Sequence, residues 1–153
     1  YARNKLLIIQ RTLRSFCRDN DEINQYIGYL RSIPGIGPVT ATTLLGKIGN
    51  PENLKSPREL ASFVGLTPKE KSTGDSINRG SITQMGDKTL RFLLVEAAWT
   101  AIRKDTQLSQ FYHRIRRKNN PKIATKIAIT AVARKLTQII YRVLKDKREY
   151  IQH

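Results

Sequence analysis

The sequence predicts a mainly α-helical domain, and three observations predict it. Apolar residues recur in steps of three and four along most of the chain. Helix-start signals stand where those stripes begin, at Ser56-Pro57, Asp87 and Asn120. The only strand-like runs are weak ones around Ile77 and Ile82. With 153 residues and 39% hydrophobic content, the chain can bury a core without covalent staples. The expected organisation is a coiled-coil-like helical arm over residues 1–31, then a helical domain over residues 32–153.

The elements follow in order. Leu6, Ile9, Leu13, Phe16, Asn20, Ile23, Ile27 and Leu30 form a heptad a/d stripe with one polar interruption. The stripe predicts one long helix, or two helices meeting near Asp19-Asn20-Asp21. It fits an amphipathic helix packed on the domain, and equally the end of a coiled-coil arm that dimerises or spaces two domains. Residues 32–48 are short, Gly-rich and apolar, and predict a turn leading into a helix. Ser56-Pro57-Arg58-Glu59 is a capping box with Pro at the first helical position, and its short helix ends near Gly65.

Residues 65–86, with Gly65, Gly74, Gly80 and Gly86 among Ser and Thr, predict a long loop, and a loop of that length is often functional. Asp87 caps a helix running to about Lys104. Leu90, Leu94, Ala97 and Ala101 make one apolar face of it, and Phe92, Val95, Trp99 and Ile102 another. This predicts a central core helix, with Trp99 in the core rather than serving as a platform for stacked bases. The next helix, from Thr106 to about Lys118, turns Leu108, Phe111, Tyr112 and Ile115 inward. Asn120 caps a last long helix that begins with Pro121. Ile129, Val132, Leu136, Ile139, Ile140 and Val143 form its buried stripe. Lys122, Lys126, Arg134, Lys135, Arg142 and Lys145 are left outside.

Composition narrows the function. The net charge is +16, from 28 basic and 12 acidic side chains. A folded domain this basic meets a polyanion, most commonly nucleic acid. Residues 87–153 carry 16 of the basic and 5 of the acidic side chains, so this half supplies most of the phosphate contacts. A lone Cys17 excludes an internal disulfide. No apolar run reaches the ~18 residues of a membrane span, and no signal peptide is visible. The chain opens with Tyr1 and holds a single Met85, which suggests a piece of a longer protein. His113 and His153 are the only histidines, which argues against a Ser-His-Asp triad or a zinc site. Asp75 and Asp87 are too few carboxylates for a two-metal nuclease and read as turn and cap residues.

Two segments carry chemistry. Ile33-Pro34-Gly35-Ile36-Gly37-Pro38-Val39-Thr40-Ala41 resembles the helix-hairpin-helix DNA-binding motif. Its glycines allow a tight turn close to a phosphate, and the following helix offers free N–H groups and a positive dipole end. Ala41 lets the two helices pack closely. Gly35, Ile36 and Gly37 are therefore candidates for backbone contact. Lys47 is either a phosphate partner or a solvated surface residue. Such contacts read phosphates and not bases. In the long loop, Lys69, Lys71, Arg79 and Arg91 surround serines. These cations could hold a scissile phosphate while a hydroxyl attacks it, although Arg91 could instead pair with Glu96 or Asp87. No base or metal that would activate the hydroxyl is evident. Arg114, Arg116, Arg117, Lys118 and Lys122 form a basic patch that suits nucleic acid.

Together these segments resemble the C-terminal domain of the IS-110/IS-116/IS-902 family of insertion-sequence transposases, relatives of the Piv and MooV invertases. The resembling residues are Ile33 to Gly37, Phe63-Val64-Gly65-Leu66-Thr67-Pro68 and Ser72-Thr73-Gly74. They continue as Arg79 to Thr83, Gly86, Leu90-Arg91 and Leu94 to Ala98, with order and spacing kept over about residues 32–100. The resemblance implies a prokaryotic, cytoplasmic, nucleoid-associated enzyme that moves DNA through a covalent serine–DNA intermediate. It implies a coiled-coil link to an N-terminal RuvC-like domain that holds Mg²⁺ on four acidic residues. It further implies an element-encoded guide RNA in at least some members, and a composite site formed between protomers of a homo-oligomer. No cofactor is expected in this segment itself. Carried onto this chain, the nucleophile is Ser72, with Thr73 and Ser76 as alternatives, because the family's nucleophile can stand directly before the Gly. Arg79 and Arg91 are the candidates for holding the reacting phosphate. The isolated segment is expected to bind nucleic acid without catalysing recombination. The rival reading is a non-catalytic helix-hairpin-helix module that binds DNA or RNA backbones.

Overall fold

A computed structural model describes residues 2–67 and 86–152. Among these residues are seven α-helices, one 3-10 turn and no strand. The helices are α1 (Ala2–Arg18), α2 (Asp21–Arg31), α3 (Pro38–Ile48), α4 (Pro57–Val64), α5 (Lys88–Lys104), α6 (Thr106–Arg117) and α7 (Ala124–Asp146); the 3-10 turn is Pro51–Asn53. The chain is thus mainly α, as its periodicity predicts. The strand-like runs around Ile77 and Ile82 lie outside the described residues.

The N-terminal stripe resolves into two helices. Asn20 breaks it because its backbone is extended and its side chain accepts from the Ile23 N–H, which caps α2. Beyond the break Tyr26, Ile27 and Leu30 are buried, whereas Leu6, Leu7, Ile8 and Ile9 of α1 are exposed. The capping box of α4 forms with a shift of one residue. Ser56 Oγ accepts from the Glu59 N–H, but the Glu59 carboxylate accepts from the N–H of Lys55 instead of that of Ser56. Gly65 ends the helix in the left-handed conformation at φ 79°.

The last helix, α7, is the centre of the molecule. Val132, Ala133, Leu136, Thr137 and Ile140 on it are fully buried, and α2, α4, α5 and α6 all pack around it. Leu30, Leu44, Leu60, Leu90 and Leu94 complete the same core. Burying each such side chain contributes about 1.5–3 kcal/mol. Helix α5 supplies one full face to this core, but it is not apolar to its surroundings on most sides. Phe92 is 64% exposed, and Val95, Trp99 and Ile102 are only partly covered. Trp99 packs at the core edge with its ring 6.1 Å from that of Tyr112.

Three further local readings are corrected. Asn120 caps a turn, accepting from the Lys122 N–H, and α7 begins only at Ala124. Arg134 is not outside: its Nε donates to the Leu66 carbonyl at 2.6 Å, and burial lowers its pKa. Lys145 reaches the Glu52 carbonyl at 2.9 Å, fastening the 3-10 turn to α7. The chain beyond α7 closes the fold. The Tyr150 N–H donates to Ser32 Oγ, and its hydroxyl donates to the buried Asp105, whose other oxygen caps α6.

Candidate nucleic-acid interface

The turn between α2 and α3 is built by Gly35 at φ 91°, a conformation that costs an L-residue about 1–2 kcal/mol. A Cβ at Gly35 would also collide with the Ala97 carbonyl of α5. This glycine therefore serves close packing inside the molecule. Ile36 is buried, and its N–H donates to the Ile33 carbonyl. Gly37 differs: a Cβ there would meet nothing within 4 Å, and no side chain caps α3 above it. Of the three hairpin candidates, only Gly37 presents open backbone at a helix N-terminus, where the dipole favours an anion. Ala41 is fully buried, as the close approach of α2 and α3 requires.

Lys47, at the end of α3, donates to Asp87 at 2.7 Å. Asp87 also caps α5 by accepting from the Leu90 N–H at 2.9 Å. The Lys47 ammonium and these N–H donors hold the Asp87 carboxyl below the usual carboxylate range. Lys47 is thus half-exposed but already paired. Arg91 is half-buried one turn further on; among the described residues it pairs with neither Glu96 nor Asp87.

Ser72, Thr73, Ser76, Lys69, Lys71 and Arg79 lie outside the described residues. The two ends that carry their segment are fixed together. Gly86 sits against the backbone of Gly65 so closely that a Cβ would collide with it. The Asp87 N–H donates to the Phe63 carbonyl at 2.9 Å, while Leu66 is held by Ala61 and Arg134. Sequence periodicity misses Arg134 here, because an exposed cation and one turned onto a loop carbonyl have the same helical spacing.

A second group lies at the other end of α5. Arg116 and Arg117 line an open groove of about 870 Å³ together with Arg103, Lys104 and His113. Lys118 and Lys122 are exposed in the turn between α6 and α7, and Arg114 faces α7. Arg103 and Lys104 were missed in the sequence because they close a different helix from the charge run at 114–122. Arg91 and Arg103 are separated by roughly 18 Å along α5, so the described candidates form two regions and not one cluster. No three His, Cys, Asp or Glu residues that could hold a metal come together among the described residues. No described helix is long and apolar enough to cross a membrane.

The profile of the Transposase IS116/IS110/IS902 family matches residues 27–113, from the middle of α2 to near the end of α6. The chain belongs to this family. Among its relatives is a Sinorhizobium fredii protein assigned as a transposase, 33% identical over 128 residues, which are 80% of this chain and 32% of the relative. The pilin gene-inverting protein of Moraxella bovis is 34% identical over 131 residues, 84% of this chain and 40% of the relative. The transposase for insertion sequence element IS1328 of Yersinia enterocolitica is 38% identical over 90 residues, 59% of this chain and 26% of the relative. The chain thus spans about a third of the length of these IS116/IS110/IS902 relatives. The match covers the hairpin, the stem of the 68–85 segment and Arg103, Lys104 and His113, and it ends one residue before the basic patch at 114–122.

Proposed function

We propose that this chain is the DNA-binding, nucleophile-bearing part of a transposase or site-specific recombinase that works through a covalent serine–DNA intermediate. The observation that carries the reading is the family match over residues 27–113, on a chain of net charge +16. The fixed stem at Gly65, Leu66, Gly86 and Asp87 supports it, since a reacting hydroxyl needs a rigid base. In this reading Ser72 Oγ attacks a DNA phosphorus, with Thr73 or Ser76 as alternative nucleophiles. A new P–O bond forms, the bond from phosphorus to the sugar oxygen breaks, and the proton lost by the serine hydroxyl is balanced by the one the leaving sugar oxygen takes up. Arg79 and Arg91 hold the phosphate, and Lys69 and Lys71 flank it. Gly37 and the first amides of α3 hold a duplex backbone as a helix-hairpin-helix does, while Arg114, Arg116, Arg117, Lys118 and Lys122 bind phosphates beyond it. Mg²⁺ on a RuvC-like domain, an element-encoded guide RNA and a second protomer through α1 complete the full-length enzyme. The segment alone binds without recombining.

The test is adduct trapping with the full-length parent, its element's DNA, Mg²⁺ and copurified RNA, followed by peptide mass spectrometry. A DNA adduct on Ser72 is expected. An adduct on Thr73 or Ser76 keeps the mechanism and moves the nucleophile. Bound DNA with no adduct on any of the three favours the non-catalytic backbone-binding module. Ser72→Ala is expected to abolish strand exchange while leaving DNA binding within about tenfold, the worth of one hydroxyl–phosphate hydrogen bond.

A further inference from the structure

The stem of the 68–85 segment is tied to the central helix by one side chain. Arg134 Nε on α7 donates to the Leu66 carbonyl at 2.6 Å, across 68 positions of sequence. Among the described residues, no other side chain from another element hydrogen-bonds Gly65, Leu66 or Thr67. The Thr67 hydroxyl is buried and has no partner among them either. The bond from Arg134 is charge-assisted, a class roughly twice as strong as a neutral one. Its base is rigid. Val132, Ala133, Leu136 and Thr137 around it are fully buried, and Thr137 Oγ1 donates to the Arg134 carbonyl at 2.6 Å. A group held on a packed helix is placed more accurately than one held on a loop.

A guanidinium is a costly donor for this place. Arg134 is half-buried and has no carboxylate partner among the described residues, so the fold bears the desolvation of its charge without an ion pair. A neutral donor would reach the same carbonyl without that cost, and would hold it less firmly. Arginine keeps its proton when desolvated, where a buried ammonium readily gives it up, so the hold is firm and permanent. The carbonyl that it fixes stands six positions before Ser72. We infer that Arg134 is a positioning residue for the serine–DNA transfer: through the Leu66 carbonyl it sets the foot of the 68–85 segment against the core, and so the place from which the hydroxyl attacks. The inference rests on the serine–DNA reading above, and adds to it a residue that acts on the rate without touching the DNA or the reacting atoms.

Two measurements test it. In the full-length parent with its element's DNA, Mg²⁺ and copurified RNA, adduct formation is timed over a range of DNA concentrations. Arg134→Gln is expected to slow the rate at saturating DNA about 100-fold, the cost of a misplacement of roughly 1 Å. The DNA concentration that gives half the maximal rate is expected to stay within about threefold, as for a change that spares ground-state binding. Arg134→Lys keeps the charge without the directed Nε and is expected to lose about tenfold in rate; it carries the same test if Arg134→Gln does not fold. In the 153-residue chain, hydrogen exchange at the Leu66 and Asp87 amides is expected to be about tenfold faster in Arg134→Gln, with the Leu136 and Ile140 amides unchanged. Faster exchange spread along α7 marks a general loss of stability and overturns the positioning role. A loss confined to DNA affinity makes Arg134 a phosphate contact and overturns it too. A parent that forms no adduct on Ser72, Thr73 or Ser76 sinks the serine–DNA reading and this inference with it. A parent that reacts, beside an Arg134→Gln protein that reacts equally fast, sinks this inference alone.

Discussion

Single atoms decide several features of this fold. Gly35 combines a left-handed backbone with contact against the Ala97 carbonyl. Gly35→Ala is expected to destabilise the chain by on the order of 3 kcal/mol, from backbone strain and overpacking together, as chemical denaturation would read. Tyr150 is pushed up to about 12, first by burial and then by its bond to Asp105. A raised phenol pKa favours the neutral form in the fold. Its contribution is therefore complete below about pH 10 and is lost as pH rises toward 12. Tyr150→Phe is expected to abolish that alkaline loss, and below pH 10 to cost about 1–3 kcal/mol by leaving a buried Asp105 oxygen unpaired. Asp87 has the opposite sign. Its lowered pKa makes its contribution complete above about pH 4 and lost as pH falls through the folded-state value. Asp87→Ala is expected to cost about 1–2 kcal/mol at neutral pH, mostly as a lost helix cap.

Elements were legible where the signal is local. The break at Asn20, the capping box at Ser56 and the cap at Asp87 are short-range chemistry, and each forms. What the sequence hides is which partner arrives. Arg134 has the spacing of a surface cation and turns inward because the Leu66 carbonyl needs a donor. Phe92 has the pattern of a core residue and faces out because no described helix covers that side of α5. In the candidate interface, residue types were readable but occupancy was not: Gly35 is spent on α5, and Lys47 on Asp87. The stem of the 68–85 segment is an element-scale device. Gly86→Ala is expected to push its two ends apart, costing about 1–3 kcal/mol. Thermal unfolding would show this as a drop of several degrees.

At the scale of the whole molecule, α1 is the outlier. Leu6 and Ile9, at heptad spacing, are 54% and 55% exposed on a helix whose main packing partner among the described residues is α2. Under the coiled-coil reading these residues face a second copy. Sedimentation is expected to show concentration-dependent dimers, and Leu6→Glu/Ile9→Glu is expected to give monomers whose helical body melts unchanged. A dimer that survives the double variant would assign association to another surface.

The position of α7 has a consequence for biosynthesis. Helices α2, α4, α5 and α6 bury apolar faces against an element that comes last in the helical order, and Leu30 and Ile140 stand 110 positions apart. At about 5–20 residues per second, a ribosome leaves α2 waiting roughly 5–20 seconds for its central partner. During that interval the nascent helices α2 to α5 show their leucines to the cytosol. Newly made chains of this kind are thus clients for chaperones until translation passes α7.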